Sequence, residues 1–202
     1  GNAEFGIEDW RKINKAIFPG LQGGPHDNTT AGIALALFEA SQPSFKKYAA
    51  QIVKNSGVLA KTLIDGGLKL VGGGSENHLL LVNLTSALGA GTGVFAQKAL
   101  DLVGLTLNKN TVPDETSSPF YPSGVRLGPP ASTSRGMKEK EMKFIGGVIL
   151  EVISLLKKYQ LPEKKEERKD YIAKFEKEMR EDKKMKEIHL RVKKLALRFP
   201  IP

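Results

Sequence analysis

Apolar residues recur at helical spacing in the last third of the chain. The clearest stripe advances by 3, 4, 3 and 4 residues, which places its members on one face and predicts a helix over residues 137–159. A second stripe has the same spacing near the C-terminus, and a weaker one lies between them. The three stripes are Met142, Ile145, Ile149, Val152 and Leu156; Met185, Ile188, Val192, Leu195 and Phe199; and Ile172, Phe175 and Met179. We interpret all three as faces that pack into a core.

Helical and extended patterns alternate before residue 137. A Pro-Gly pair at Pro19 stops the first helix, Pro43 opens the third, and glycine-rich turns separate the strands. The predicted helices cover residues 8–18, 27–40, 43–65 and 91–103, and the predicted strands cover residues 68–71, 78–84, 105–108 and 124–127. This alternation predicts an α/β fold.

Composition narrows the class of protein. A chain of 202 residues can bury a core without disulfides, and it has no cysteine for a thiolate metal site or nucleophile. No apolar run approaches the roughly 20 residues that a membrane helix needs, and the N-terminus lacks a basic-then-apolar signal. We therefore expect a cytoplasmic protein without a membrane partner.

The net charge of +9 is concentrated in the tail. The first 134 residues hold 11 basic and 10 acidic residues, whereas the remainder holds 20 and 12. A basic tail suggests a nucleic-acid-binding protein. However, lysine and glutamate alternate over residues 163–170, as on a solvated helix with internal ion pairs, and no aromatic ladder is present for stacking bases. We therefore expect no nucleic-acid partner.

A long polar loop, residues 108–126, ends in a short extended run that carries Arg126. Loops of this length are uncommon unless they are functional or disordered. The guanidinium of arginine can grip a carboxylate through two parallel hydrogen bonds. The alternative is a solvent-exposed arginine on a strand edge, and the loop alone does not separate the two.

A second candidate, residues 18–26 (FPGLQGGPH), precedes a predicted helix. Its adjacent glycines would let backbone N–H groups approach an anion, and the N-terminus of the helix adds partial positive charge. A tight connection with no ligand explains the glycines equally well.

Three other features are weaker candidates. The glycines between Gly89 and Gly93 have the wrong spacing for a dinucleotide fingerprint. The histidines at positions 26, 78 and 189 lack metal-ligand spacing, so no metal is expected. Lys109 could act as a Schiff-base nucleophile if it were buried, but a lysine at a strand end usually pairs or is solvated.

Four segments together resemble one known family. They are residues 18–26, 73–79 (GGSENHL), 108–113 (NKNTVP) and 123–131 (SGVRLGPPA). In this order and approximate spacing they resemble serine hydroxymethyltransferase, the pyridoxal-phosphate enzyme also called glycine hydroxymethyltransferase. The resemblance covers nearly all of residues 7–160.

The resemblance implies a fold-type I, aspartate-aminotransferase-like enzyme. Such an enzyme transfers the serine side-chain carbon reversibly to tetrahydrofolate, giving glycine and methylenetetrahydrofolate. It implies that Arg126 binds the carboxylate of serine or glycine, and that Gly23 and Gly24 reach the cofactor phosphate of the neighbouring subunit in a homodimer or tetramer. The folate-binding residues that it implies are Asn110, Ser118, Pro119, Phe120 and Phe18. Asn28 stands where many members of the family have a second histidine.

One departure from the family decides what this chain can do alone. The Schiff-base lysine of the family follows a histidine, and this chain contains no His-Lys pair. The resemblance therefore implies a C-terminal portion with no catalytic residue, expected to be inactive by itself. Residues 1–42 would end the large cofactor-binding domain, and residues 43–202 would form a small α+β domain. A stand-alone module that binds carboxylate and folate without catalysis is the alternative.

Overall fold

Helices predominate in the computed structural model, which describes residues 6–201. The chain divides into two compact units, one ending at Lys46 and the next beginning at Lys47. The helices are α1 (Ile7–Lys15), α2 (Asp27–Ser41), α3 (Pro43–Asp65), α4 (Thr85–Leu88), α5 (Gly93–Leu102), α6 (Pro130–Ser134), α7 (Glu139–Leu155), α8 (Lys165–Glu181) and α9 (Lys183–Leu197). The strands are β1 (Lys69–Leu70), β2 (Leu80–Asn83), β3 (Asn108–Asn110) and β4 (Gly124–Leu127).

The first unit has no buried residue between positions 6 and 46. Helix α2 carries apolar side chains around its circumference, and Ile33, Leu35, Leu37 and Phe38 are 56–67% exposed. A helix that is apolar all round is normally buried in a larger protein. Nothing between residues 6 and 46 covers that surface.

The second unit contains a four-stranded antiparallel sheet in the order β1-β2-β4-β3. Leu80, Val82 and Val125 point into the core, because alternate residues of a strand face opposite sides. Helix α5 contacts strands β3 and β4 as well as helices α7 and α8. This mixture of helix and sheet confirms the predicted α/β fold class.

An aromatic cluster joins the tail to helix α5. Phe95 is fully buried, and its ring centroid lies 4.9 Å from that of Phe175 and 6.0 Å from that of Tyr171. Tyr159 packs edge-on against Phe175 at 4.7 Å. The three predicted apolar stripes are confirmed as core faces, since most of their members are buried.

Several predicted boundaries were wrong. Helix α1 ends at Lys15 and is followed by a π-helical segment, Ala16–Leu21. Within that segment Phe18, the residue before Pro19, leaves the helical conformation (φ −131°, ψ 122°), so the helix does not extend to residue 18 as predicted. Residues 105–107 are not a strand, since the Leu105 amide donates to the Leu100 carbonyl and closes helix α5. Strand β3 begins only at Asn108, and the short helices α4 and α6 were not predicted.

Candidate functional site

Arg126 lies on the outer face of the sheet. It pairs across the ladder with Leu81 of β2 and Asn108 of β3, while its neighbour Val125 is buried. The Arg126 side chain is exposed, and no residue between 6 and 201 forms an ion pair or hydrogen bond with its guanidinium. The Arg126 guanidinium is therefore free to bind an external anion.

Asn110 lies on the same face as Arg126. It is opposite Gly124 in the β3–β4 register, two residues along from the Asn108–Arg126 pair. Its side-chain amide donates a hydrogen bond of 2.7 Å to the Thr111 carbonyl. The structure thus brings two predicted site residues, Asn110 and Arg126, to one face of the sheet, on the two strands that the β3–β4 loop joins.

The carboxylate of Glu115 lies at the centre of this loop, residues 111–123. One of its oxygens accepts from the Ser117 amide at 3.0 Å and from the Ser123 hydroxyl at 2.6 Å. The other accepts from the Ser123 amide at 2.8 Å and from the Val112 amide at 3.4 Å. Burial raises the pKa of this carboxyl, but the hydrogen bonds outweigh burial and leave the pKa below its usual value.

The glycine run at 89–93 supports the end of the same loop. The Gly91 amide donates to the Ser123 hydroxyl at 2.9 Å, and the Gly93 amide donates to the Pro122 carbonyl at 2.9 Å. A Cβ at position 93 would lie 2.5 Å from the Gly124 carbonyl oxygen, so only glycine fits. These contacts give the run a packing role in place of the dinucleotide role considered above.

The tip of the loop carries the remaining predicted folate residues. The Ser118 carbonyl accepts from the Tyr121 amide at 2.9 Å, which closes a turn around Pro119 and Phe120. The Lys109 ammonium donates to the Phe120 carbonyl, leaving the Phe120 ring 78% exposed. Lys109 is thus engaged in holding the loop.

Helix α8 contacts the same tip. The Arg168 guanidinium lies over the Tyr121 ring, with 5.2 Å from its central carbon to the ring centroid. The Lys109 ammonium approaches the same ring at 5.8 Å. Tyr121 was not singled out from the sequence, because neither partner is near it in the chain.

The GGSENHL segment folds as a turn. Gly72 and Gly73 both have φ of +73°, and a cavity of about 560 Å³ opens beside them. The Ser75 hydroxyl donates to the Leu79 carbonyl at 2.7 Å, and the Asn77 side chain accepts from the Leu79 amide at 2.7 Å. These bonds account for the conformation of the segment without a ligand.

The glycine loop before α2 belongs to the first unit. No acceptor for the amides of Gly23 and Gly24 occurs among residues 6–201, and a Cβ added at Gly23 would meet nothing within 4 Å. Gly24 has φ of +157°, and a Cβ there would lie 3.5 Å from the His26 amide nitrogen. Phe18 in the same segment is 67% exposed.

Residues 6–201 contain neither a metal-binding cluster nor a helix that could span a membrane. No group of three or more histidine, aspartate or glutamate side chains in this range could hold a metal ion. None of the helices in the same range is both long and apolar enough to cross a membrane.

Comparison with known proteins agrees with the resemblance in the sequence. The sequence model of the family described as serine hydroxymethyltransferase matches residues 3–149. The serine hydroxymethyltransferase of Acidothermus cellulolyticus is 54% identical over 148 residues, which are 73% of this chain and 34% of that protein. The corresponding protein of Desulfotalea psychrophila is 53% identical over 144 residues, which are 71% of this chain and 33% of that protein.

These matches show both the structural class of the chain and the family to which it belongs. The chain has the fold class of the fold-type I pyridoxal-phosphate enzymes, as predicted. Within that class it belongs to the serine hydroxymethyltransferase family. The chain spans about a third of the length of the curated relatives it matches. The matches do not support the stand-alone binding module or the nucleic-acid-binding protein.

Proposed function

We propose that this chain is the C-terminal portion of an enzyme that interconverts serine and glycine with tetrahydrofolate as the one-carbon acceptor. The observation that supports this proposal most directly concerns Arg126. Its guanidinium has no partner within residues 6–201, and it lies beside the β3–β4 loop, whose conformation is fixed by hydrogen bonds to Glu115. In this proposal Arg126 binds the substrate carboxylate, and the adjacent loop contacts folate. A cytoplasmic location is part of the proposal, because both substrates are small soluble metabolites.

The folate contacts that we propose surround the tip of the β3–β4 loop. Phe120 offers an exposed aromatic face, and Asn110 places a side-chain amide on the same sheet face as Arg126. Ser118 and Pro119 complete the turn that carries Phe120. Phe18, exposed in the first unit, would contact the folate of a neighbouring subunit.

The proposed cofactor is pyridoxal phosphate, and the residues present fit its phosphate group. The amides of Gly23 and Gly24 lack acceptors within the described chain, and the open space at Gly23 lets an anion approach the backbone. When bound, the cofactor would act as an electron sink for the substrate. The residues of this chain would hold its phosphate and the substrate carboxylate, and the chain lacks the His-Lys pair that carries the covalent lysine of the family.

The exposed apolar surface of α2 supports a larger assembly. Helix α2 runs from Asp27 to Ser41 with no buried residue, although its sequence is apolar on every side. We propose that the rest of the enzyme and a second subunit cover this surface in a homodimer or tetramer. The domain division at residues 42 and 43 is part of the same proposal.

The isolated chain should form no covalent adduct with pyridoxal phosphate at one specific lysine. Lys109, the one lysine considered as a nucleophile, already donates to the Phe120 carbonyl. Mixing the chain with the cofactor, reducing with borohydride and mapping the labelled peptides checks this expectation. Stoichiometric labelling of Lys109 alone would contradict it, whereas slight labelling spread over surface lysines would not.

Gly24→Val in the full-length enzyme should lower the affinity for pyridoxal phosphate and weaken the dimer together. Valine rarely adopts the φ of +157° found at Gly24, so the loop would change its conformation and move away from the phosphate. Cofactor titration and sedimentation measure the two effects. Gly147→Val is the matched control, because a Cβ at Gly147 on helix α7 meets nothing within 4 Å.

Subunit mixing tests whether this loop serves the neighbouring subunit. Heterodimers of Gly24→Val with a variant lacking the Schiff-base lysine should contain one site with both intact elements. That site should give the mixture more activity than either homodimer has under the same conditions. Heterodimers that form without any recovered activity would show that the loop acts on its own subunit.

A further inference from the structure

The β3–β4 loop is organised around one charged side chain. Glu115 accepts four hydrogen bonds from three positions, Val112, Ser117 and Ser123, which span nearly the whole loop. Three of the donors are backbone amides, so the bonds fix the path of the chain as well as side-chain orientation. A long loop would otherwise lose much conformational entropy on ordering.

Only an ionised carboxylate satisfies this set of donors. Each carboxylate oxygen of Glu115 accepts two of the four bonds, as a group with four lone-pair sites can. A glutamine at this position would direct its NH₂ group at two donors in either orientation. If the Ser123 hydroxyl accepted from this NH₂ group as well as from the Gly91 amide, its own O–H would lose the acceptor that Glu115 provides, and the Ser117 amide would still face a donor.

The neighbouring carboxylate provides a contrast. Asp114 is exposed, has φ of +56°, and forms no hydrogen bond or ion pair with any residue between 6 and 201. Asparagine is among the residues that adopt this conformation most readily. The loop therefore offers two adjacent acids with the same charge, of which only Glu115 holds the backbone.

We propose that Glu115 is the positioning residue of the β3–β4 loop and holds it in its ligand-binding shape before any ligand arrives. Glu115 fixes both ends of residues 112–123, while Lys109 fixes the tip through the Phe120 carbonyl. The exposed side chains at the tip are thereby presented in a set conformation. That the ligand is folate rests on the function proposed above, whereas the holding role of Glu115 does not.

Hydrogen exchange on the 202-residue chain tests the holding role directly. Glu115→Gln should accelerate amide exchange at Ser117 and Ser123 by roughly tenfold or more, the factor expected for losing one hydrogen bond to a charged group. Asp114→Asn, which removes the same charge from the same loop, should change these rates less than about twofold. Equal rates in Glu115→Gln and the unaltered chain would overturn the proposal.

Ser123→Ala keeps the test decisive if Glu115→Gln does not fold. This variant retains the Glu115 charge and the Ser123 amide but removes the hydroxyl that joins Glu115 to Gly91. It should accelerate exchange at Ser117 and Gly91, with smaller effects at Val112. Unchanged exchange at Ser117 and Gly91 would contradict the proposed network.

Binding of tetrahydrofolate to the full-length enzyme separates the two proposals. Glu115→Gln should raise the Kd for tetrahydrofolate by roughly tenfold and leave the Kd for glycine unchanged, because a preorganised loop lowers the cost of binding. Glu115→Asp should restore part of the affinity, since the charge remains. Faster exchange with unaltered folate affinity would confirm the holding role and refute the folate assignment. Unaltered exchange would refute the holding role itself.

Discussion

Arg126→Ala in the full-length enzyme should weaken the binding of serine and glycine by about 2–5 kcal/mol, if the carboxylate is desolvated in the site. The guanidinium is exposed on the sheet and has no partner within residues 6–201, so its loss removes a ligand contact and not a structural one. Arg126→Lys should recover little of the affinity, because an ammonium cannot present two parallel donors. Isothermal titration with glycine measures both variants.

Two control measurements show whether the lost affinity comes from the carboxylate contact and not from a damaged cofactor site or fold. The affinity for pyridoxal phosphate should change little, since its proposed phosphate contacts lie in another part of the chain. The unfolding free energy of the Arg126→Ala chain should stay within about 0.5 kcal/mol of the original, as for a surface substitution. A lysine variant that binds glycine as tightly as the original protein would refute the bidentate role.

Phe95→Ala should destabilise the second unit by about 3–5 kcal/mol, the usual cost of removing a large aromatic side chain from a core. The Phe95 ring is fully buried and contacts Tyr159, Tyr171 and Phe175. These neighbours belong to two separate parts of the chain, the segment after α7 and helix α8, and cannot all move in to close the cavity. Urea denaturation of the 202-residue chain measures the change.

Phe120→Ala provides the matched control for this stability prediction. It deletes the same side chain at a position that is 78% exposed, so the unfolding free energy should change by less than about 0.5 kcal/mol. If both phenylalanine variants lost the same stability, the aromatic cluster around Phe95 would not be the structural centre described above.

The elements that the sequence predicted well are those governed by local spacing. The stripe from Met142 to Leu156 repeats at the helical period, and the structure buries most of it. Strand β3 was misplaced because its limits depend on pairing with β4, which is distant in the chain. Helix α1 was predicted too long, because the prediction included Phe18, and a residue that precedes proline is disfavoured in the helical conformation.

The candidate site likewise has one part that the sequence predicts and another that depends on the folded structure. The chemistry of Arg126 follows from its residue type, and its place on a strand follows from the short extended run around it, but the sequence does not show that this strand is an interior one. The role of Glu115 could not be predicted, because its partners are backbone amides whose positions exist only after the loop has folded. Two adjacent acids among several hydroxyl-bearing residues in a long loop were the available signal, and the sequence does not show which of the two holds the backbone.

The aromatic cluster also bears on where this protein can be divided. The family match ends at residue 149, yet Phe175 and Tyr171 from beyond that point complete the surroundings of Phe95. A truncation placed at the edge of sequence similarity would therefore cut through a cooperative folding unit and leave α5 with an uncovered apolar flank. For this chain, the end of the family match does not coincide with the end of the packed core.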